Sequence, residues 1–215
     1  AYHVLVSGSA ITDLAGNRFG GISQAGQLNF TTAASAVPTT LQAGDLVFLA
    51  VNGDSPNAFA FMLLKAVNTN TEIFFSDRDS LSATNESAFK WMADKPYPAG
   101  TVITIQPDQA AGTAPLADKG LTLGKGGGIS TSAETIFAFQ GSMADLSNTT
   151  AGNLTVERYL AAVNVGGALT GAIDDTLKAA LNPVNAYVSL PLDNVRYTGA
   201  ADAADPVALR AAVAN

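Results

Sequence analysis

Apolar and polar positions alternate over short runs along most of this chain, and each run stops at a cluster of Gly, Pro, Asn or Asp. Tyr2, Val4 and Val6 fall on one face of an opening strand, with His3 and Leu5 on the other. The segment SAITDLAGNRFGGI carries turn chemistry at Asp13 and at Gly16 and Asn17, and residues 27–32 (QLNFTT) fit a second strand. Residues 33–40 (AASAVPTT) read as a linker. Two strands and a turn are too little to bury a core, because an isolated hairpin is marginal in water. Residues 1–32 are therefore expected to be orphan strands, completed by a sheet elsewhere.

From residue 41 onward the same pattern predicts strands at 44–51 (GDLVFLAV), 58–64 (AFAFMLL), 71–76 (TEIFFS), 89–92, 101–105, 120–123 and 135–139. Short strands separated by Gly/Pro/Asn/Asp turns argue for a sandwich or a barrel. The pattern then changes. Residues 158–163 (RYLAAV) and 176–181 (TLKAAL) fit single helical turns, and 188–192 and 194–197 fit late strands. Residues 206–213 (PVALRAAV) fit a helix with Asp205 as N-cap and Pro206 in the first helical position.

Two stretches carry a resemblance. Y-x-V-x-V followed by ITDLAGN, G and LNFTT resembles the end of a bacterial Ig-like domain of the surface-layer type, which implies the last strands of a seven-strand sandwich. The strands that would precede Tyr2 are missing from the sequence, so the expectation is a processed fragment or an arm that donates its strands. Residues 41–215, through GDLVFLAVNGDSPNAFAFMLL, TEIFFSDRD, PAGTVITI, SAETIFAFQGS, YLAAVN, YVSLPLDNVRYTG and LRAAVAN, resemble an uncharacterised β-rich module of bacterial secreted and surface proteins. That resemblance implies an exported location and no particular activity. Where the family has an aromatic residue after its turn aspartate, this chain has Arg78, Asp79 and Ser80. The expected fold class is mainly β: a β-sandwich, Ig-like or jelly-roll-like, with a few short helices, organised as terminal strands (1–32), linker (33–40) and sandwich module (41–215).

Composition narrows the function classes. The 215 residues include 47% apolar and only 13% charged positions, with 11 Lys+Arg, 18 Asp+Glu, no Cys and a formal charge of −7; ordinary soluble domains carry about 25% charged residues. That much apolar content excludes disorder. No window approaches about 20 apolar residues, so no membrane-spanning helix is expected. The acidic balance and the lack of any Lys/Arg cluster argue against nucleic acid. A surface of Ala, Thr, Ser, Asn and Gly costs little to desolvate and suits a subunit packed against neighbours; the alternative is a low-charge secreted protein that stays monomeric. Residues 1–8 (AYHVLVSG) show neither a basic leader nor a small-residue cleavage pattern.

Candidate chemistry is sparse. His3 is the only histidine, which removes multi-histidine metal sites and leaves a catalytic triad dependent on a residue of the first strand. One Trp and five Tyr give few aromatic platforms for a sugar cleft built on two carboxylates. Gly124 to Gly128, with Lys125 not followed by Ser or Thr, lacks the phosphate-loop spacing and reads as a hairpin tip. The strongest site signal is oxygen-rich turns: Asn52, Asp54 and Asn57 in one loop, Asp77 and Asp79 after a strand that could be its neighbour. Two such loops at one end of a sandwich would offer the six to eight oxygens that Ca²⁺ takes, so Ca²⁺ is the candidate cofactor; the alternative is a turn capped by its own side chains.

No catalytic residue is expected. The sequence points to a non-enzymatic, extracellular structural protein of a bacterial cell surface, a homo-oligomer or polymer forming a surface layer, sheath or fibre by strand donation from residues 1–32. The alternative is a calcium-dependent adhesion or carbohydrate-binding module recognising cell-surface polysaccharide.

Overall fold

A computed structural model describes residues 2–30, 36–78, 80–81, 87–108, 114–129, 133–144, 154–167 and 172–214. The chain divides into two units, Ala1–Ala36 and Val37–Asn215. In the first, β1 (Tyr2–His3) pairs antiparallel with β2 (Asn29–Phe30), and single bridges join Val6 to Ile22 and Thr12 to Arg18. No side chain described in residues 4–28 is buried. The two predicted strands pair with each other, in a long, sparsely bridged ladder with no core of its own.

The second unit is built from β3 (Leu46–Asn52), β4 (Ala58–Leu63), β5 (Glu72–Ser76), β6 (Ala88–Met92), β7 (Val102–Gln106) and β8 (Leu116–Ala117). There follow β9 (Leu121–Lys125), β10 (Glu134–Met143), β11 (Leu154–Val165), α1 (Ala172–Leu181), β12 (Tyr187–Ser189), β13 (Asn194–Arg196) and α2 (Pro206–Ala214). Six strands form one sheet in the order β12-β11-β10-β5-β6-β9, and five form the other in the order β13-β3-β4-β7-β8. All pairs are antiparallel except β11 with β12. This is a mainly β, two-sheet sandwich, as the strand pattern predicts.

Period-two alternation sends Phe59, Phe61 and Leu63 of β4 inward against Ile73, Phe75 and Trp91. Phe75 sits at the centre, with ring centroids 5.1 Å from Phe61, 5.2 Å from Phe59 and 5.6 Å from Phe89. In β3 a register shift between Phe48 and Ala50 lets Phe48 and Val51, three residues apart, both join this core. Val47 and Met62 point the other way, and Leu209 of α2 packs on them. On α2 the N-cap is as predicted: the Ala208 amide donates to Asp205 Oδ1 at 3.0 Å.

Three expectations are corrected by packing. Residues 158–163 lie inside strand β11, not in a helical turn. Leu160, Ala161, Ala162 and Val163 are all buried, because one face of β11 meets the opposite sheet and the other meets α1. Such a strand shows no alternation to read. Residues 124–128 are not a free hairpin tip: Gly124 and Lys125 pair in β9, and the glycines beyond run through a tight internal contact. In the predicted linker, Ala33 to Ser35 lie outside the described residues, but Val37 to Thr40 are fastened to the sandwich. The Asn68 side chain donates to the Val37 carbonyl at 2.8 Å, and the Thr39 amide donates to Thr71 Oγ1 at 2.8 Å. Gln140 accepts from the Leu41 amide at 2.8 Å and donates to the Thr39 carbonyl at 3.0 Å.

Candidate functional site

The β3–β4 loop holds three of the predicted oxygen donors, and its hydrogen bonds are those of a pinned turn. Asn52 Nδ2 donates to the carbonyls of Asp54 (3.1 Å) and Pro56 (3.0 Å), and Asn57 Nδ2 donates to the Gly53 carbonyl. From the far end of the chain, Asn194 Nδ2 donates to Asp54 Oδ2 at 2.8 Å while Asn194 Oδ1 accepts from the Gly53 amide at 3.0 Å. Asn52 and Asp54 therefore meet β13. Asn57 turns inward, where its Oδ1 accepts from the Ile129 amide at 3.0 Å.

Asp77 is also buried. Its Oδ1 accepts from the Ser87 amide and its Oδ2 from the Ser87 hydroxyl, both at 2.7 Å. Gly127 runs directly over Ser87: a Cβ there would lie 2.6 Å from Ser87 Oγ. Residues 127–129 thus link the Asn57 and Asp77 turns through the interior, while Asn52 and Asp54 stay on the rim. Asp79 lies outside the described residues. Both Asp77 oxygens, the Asn57 oxygen and one Asp54 oxygen accept hydrogen bonds from within the protein. Among the described residues no three His, Cys, Asp or Glu side chains gather as a metal-binding group.

A second polar cluster gathers around Asp174, which the sequence offers only as a weaker oxygen-donor candidate beside Asp175. On the face of the six-stranded sheet covered by α1, Asp174 is buried and accepts from Lys178 Nζ and the Tyr187 hydroxyl. Lys178 Nζ also lies 5.5 Å from the centre of the Tyr187 ring. Next to it, fully buried Asn164 donates to Thr135 Oγ1 (3.0 Å) and the Glu134 carbonyl (3.2 Å), and accepts from Ser189 Oγ (3.2 Å). The network fastens α1 and parallel strand β12 to the sheet. Its one legible signal was the Asp174–Lys178 spacing of four residues on a helix; Tyr187 comes from another element. Burial, and then the hydrogen bond to Asp174, push the Tyr187 hydroxyl well above the ordinary tyrosine value. The native state then keeps a proton that the unfolded chain releases near pH 10. This contribution is fully present below that pH and is lost as pH rises beyond it. Tyr187→Phe should make the fall in stability above pH 10 shallower; unfolding midpoints at pH 8 and 10.5 measure it, and equal slopes for both proteins would refute the assignment.

In the first unit, Asp13 builds its turn by accepting from the amides of Asn17 (2.8 Å) and Ala15 (2.9 Å) and from Asn17 Nδ2 (2.9 Å). The Asn17 side chain, with the neighbouring amides, holds this carboxyl below the usual range. Around the turn the large apolar side chains face water: Leu5 is 59% exposed, Ile11 55% and Phe19 45%, with Leu14 and Leu28 alongside.

The fold and these sites describe a mainly β sandwich and, as a separate unit, a sparsely bridged two-stranded ladder with exposed apolar side chains. No family model matches the chain, and no curated protein or solved structure similar to it was found.

Proposed function

We propose that this protein is a non-enzymatic extracellular structural subunit that self-assembles into a bacterial surface layer, sheath or fibre, residues 1–32 pairing with a sheet of a neighbouring copy. The observation that carries the reading is the first unit itself, a two-stranded ladder whose Leu5, Ile11, Leu14, Phe19 and Leu28 are exposed. A ladder without a core gains stability only when another sheet covers it, and exposed strand edges template such pairing. Charge favours the same partner. Residues 1–36 hold one acid, Asp13, and one strong base, Arg18, so the formal −7 belongs to the second unit. A neutral arm approaches an acidic body without like-charge repulsion.

The test is electron microscopy and sedimentation of the full chain beside a variant lacking residues 1–32 and the full-length double variant Leu5→Asp, Phe19→Asp. Ordered sheets or filaments from the full chain alone, with all three proteins keeping the sandwich's unfolding midpoint, are expected. Assembly of either variant overturns strand donation. Loss of order in chelator would place Ca²⁺ at the contacts; uniform single particles under every condition would favour the adhesion or polysaccharide-binding module.

A further inference from the structure

Four strands end the two sheets: β12 and β9 the six-stranded one, β13 and β8 the five-stranded one. An edge strand offers unpaired amides and carbonyls to another chain, and folds guard such edges by shortness, charge, bulges or cover. β8 has two residues, β12 and β13 three each, and β12 also lies against α1 and α2. β12 covers only Ala162 to Asn164 of β11, but the stretch before it carries exposed Glu157 paired with Arg158 at 3.4 Å. Two register shifts in its ladder with β10 guard that stretch further. β9 is different. It runs for five residues and pairs, among the described residues, with β6 alone. Between Lys119 and Lys125 it carries neither charge nor proline. Leu121 and Leu123 are 54% and 50% exposed, while Thr122 between them sits opposite buried Trp91.

The first unit holds a strand that fits this edge. Val4 and Val6 donate their amides across the ladder to the carbonyls of Leu28 (3.3 Å) and Ile22 (2.9 Å). The alternation of an extended chain then turns the amide and carbonyl of Leu5 to the open side, and the Leu5 side chain is exposed. Residues 2–12 contain no Lys, Arg, Asp or Glu.

We propose that residues 2–6 of a second copy lie along β9 and extend the six-stranded sheet by a seventh strand. The inference rests on the self-assembly proposed above and names the surface that receives the arm. Charge selects the arm over a second β9. The antiparallel register that sets Leu121 of one β9 opposite Leu123 of another also sets Lys119 opposite Lys125, and like charges directly opposite destabilise a strand pair. An uncharged strand brings no such conflict; its backbone bonds to the edge, and Leu5 packs with Leu121 and Leu123. Donor and acceptor surfaces differ, so the contact is heterologous and propagates from copy to copy unless its rotation closes a ring.

Sedimentation and hydrogen exchange test it on the full chain, on the full-length double variant Leu121→Lys, Leu123→Lys and on Leu192→Lys. Leu192 is equally exposed and lies between β12 and β13, at the opposite edge. All three proteins should keep the same unfolding midpoint. The full chain and Leu192→Lys are expected to assemble and the double variant to stay monomeric, with amide exchange of residues 121–124 slowing only as the full chain assembles. Assembly of the double variant, or equally fast exchange of residues 121–124 in monomer and assembly, overturns β9 as the acceptor. Strand donation itself would survive that result if the variant lacking residues 1–32 still failed to assemble. Full protection of residues 121–124 in the dilute monomer would put a chain's own arm on β9 and overturns the second copy. A full chain that never assembles overturns both this inference and the function it rests on.

Discussion

Phe75→Ala should destabilise the sandwich by about 3–5 kcal/mol, the range for emptying a well-packed aromatic site. Phe75 is wholly buried and touches Phe48, Phe59, Phe61 and Phe89, residues of three other strands in both sheets. The hole left by the ring lies at the sheet–sheet centre, where no single strand can relax into it without breaking its ladder. Chemical denaturation followed by Trp91 fluorescence reads the loss. Phe75→Leu, which keeps most of the volume, should cost well under half as much. Comparable losses in the two variants would mean that the site is loosely packed and the cavity argument fails.

The second large effect is expected at Gly120, in the turn before β9. Its φ of +78° is one that a Cβ disfavours, and a Cβ there would lie 2.3 Å from Trp91 Nε1 and 2.8 Å from the Met92 carbonyl. Trp91 cannot step aside, because it is fully buried and its indole N–H donates to the Lys119 carbonyl at 2.6 Å. Backbone strain of about 1–2 kcal/mol and overpacking of about 1–3 kcal/mol add at one position. Gly120→Ala should therefore lower stability by about 2–5 kcal/mol and also shift the tryptophan emission of the folded protein, since the indole loses its acceptor or moves. Lower stability with unchanged emission would assign the cost to the backbone alone.

Where one face of a strand meets the core and the other meets water, the sequence was readable. The alternation of Phe59, Phe61 and Leu63 and the Asp205 cap report local environments that local residues reveal. Reading failed where a second layer covers the strand. Residues 160–163 are apolar on both faces, so nothing in LAAV separates a doubly covered strand from a helical turn. The same holds for Val47 and Met62, whose burial depends on α2 about 150 residues later. Of the oxygen-rich turns, the turn chemistry of Asn52 to Asn57 was legible. Its partner Asn194 was not, because a contact across 140 residues leaves no periodic trace.

The side-chain clasps on residues 37–41 acquire a mechanical meaning if the first unit is gripped by a neighbour. Tension arriving at residue 36 meets the Asn68 bond to Val37 first, then the Thr71 and Gln140 bonds to Thr39, then the Gln140 bond to Leu41. These are loaded one after another, so they part in series at a force well below that needed to shear the long β10–β11 ladder. Release of residues 37–40 pays out roughly 14 Å of chain, while Leu41 stays anchored by its burial in the core, and the bonds can re-form when the load drops. The clasped segment would thus act as a resettable fuse, yielding slack to the assembly before any strand of the sandwich gives way.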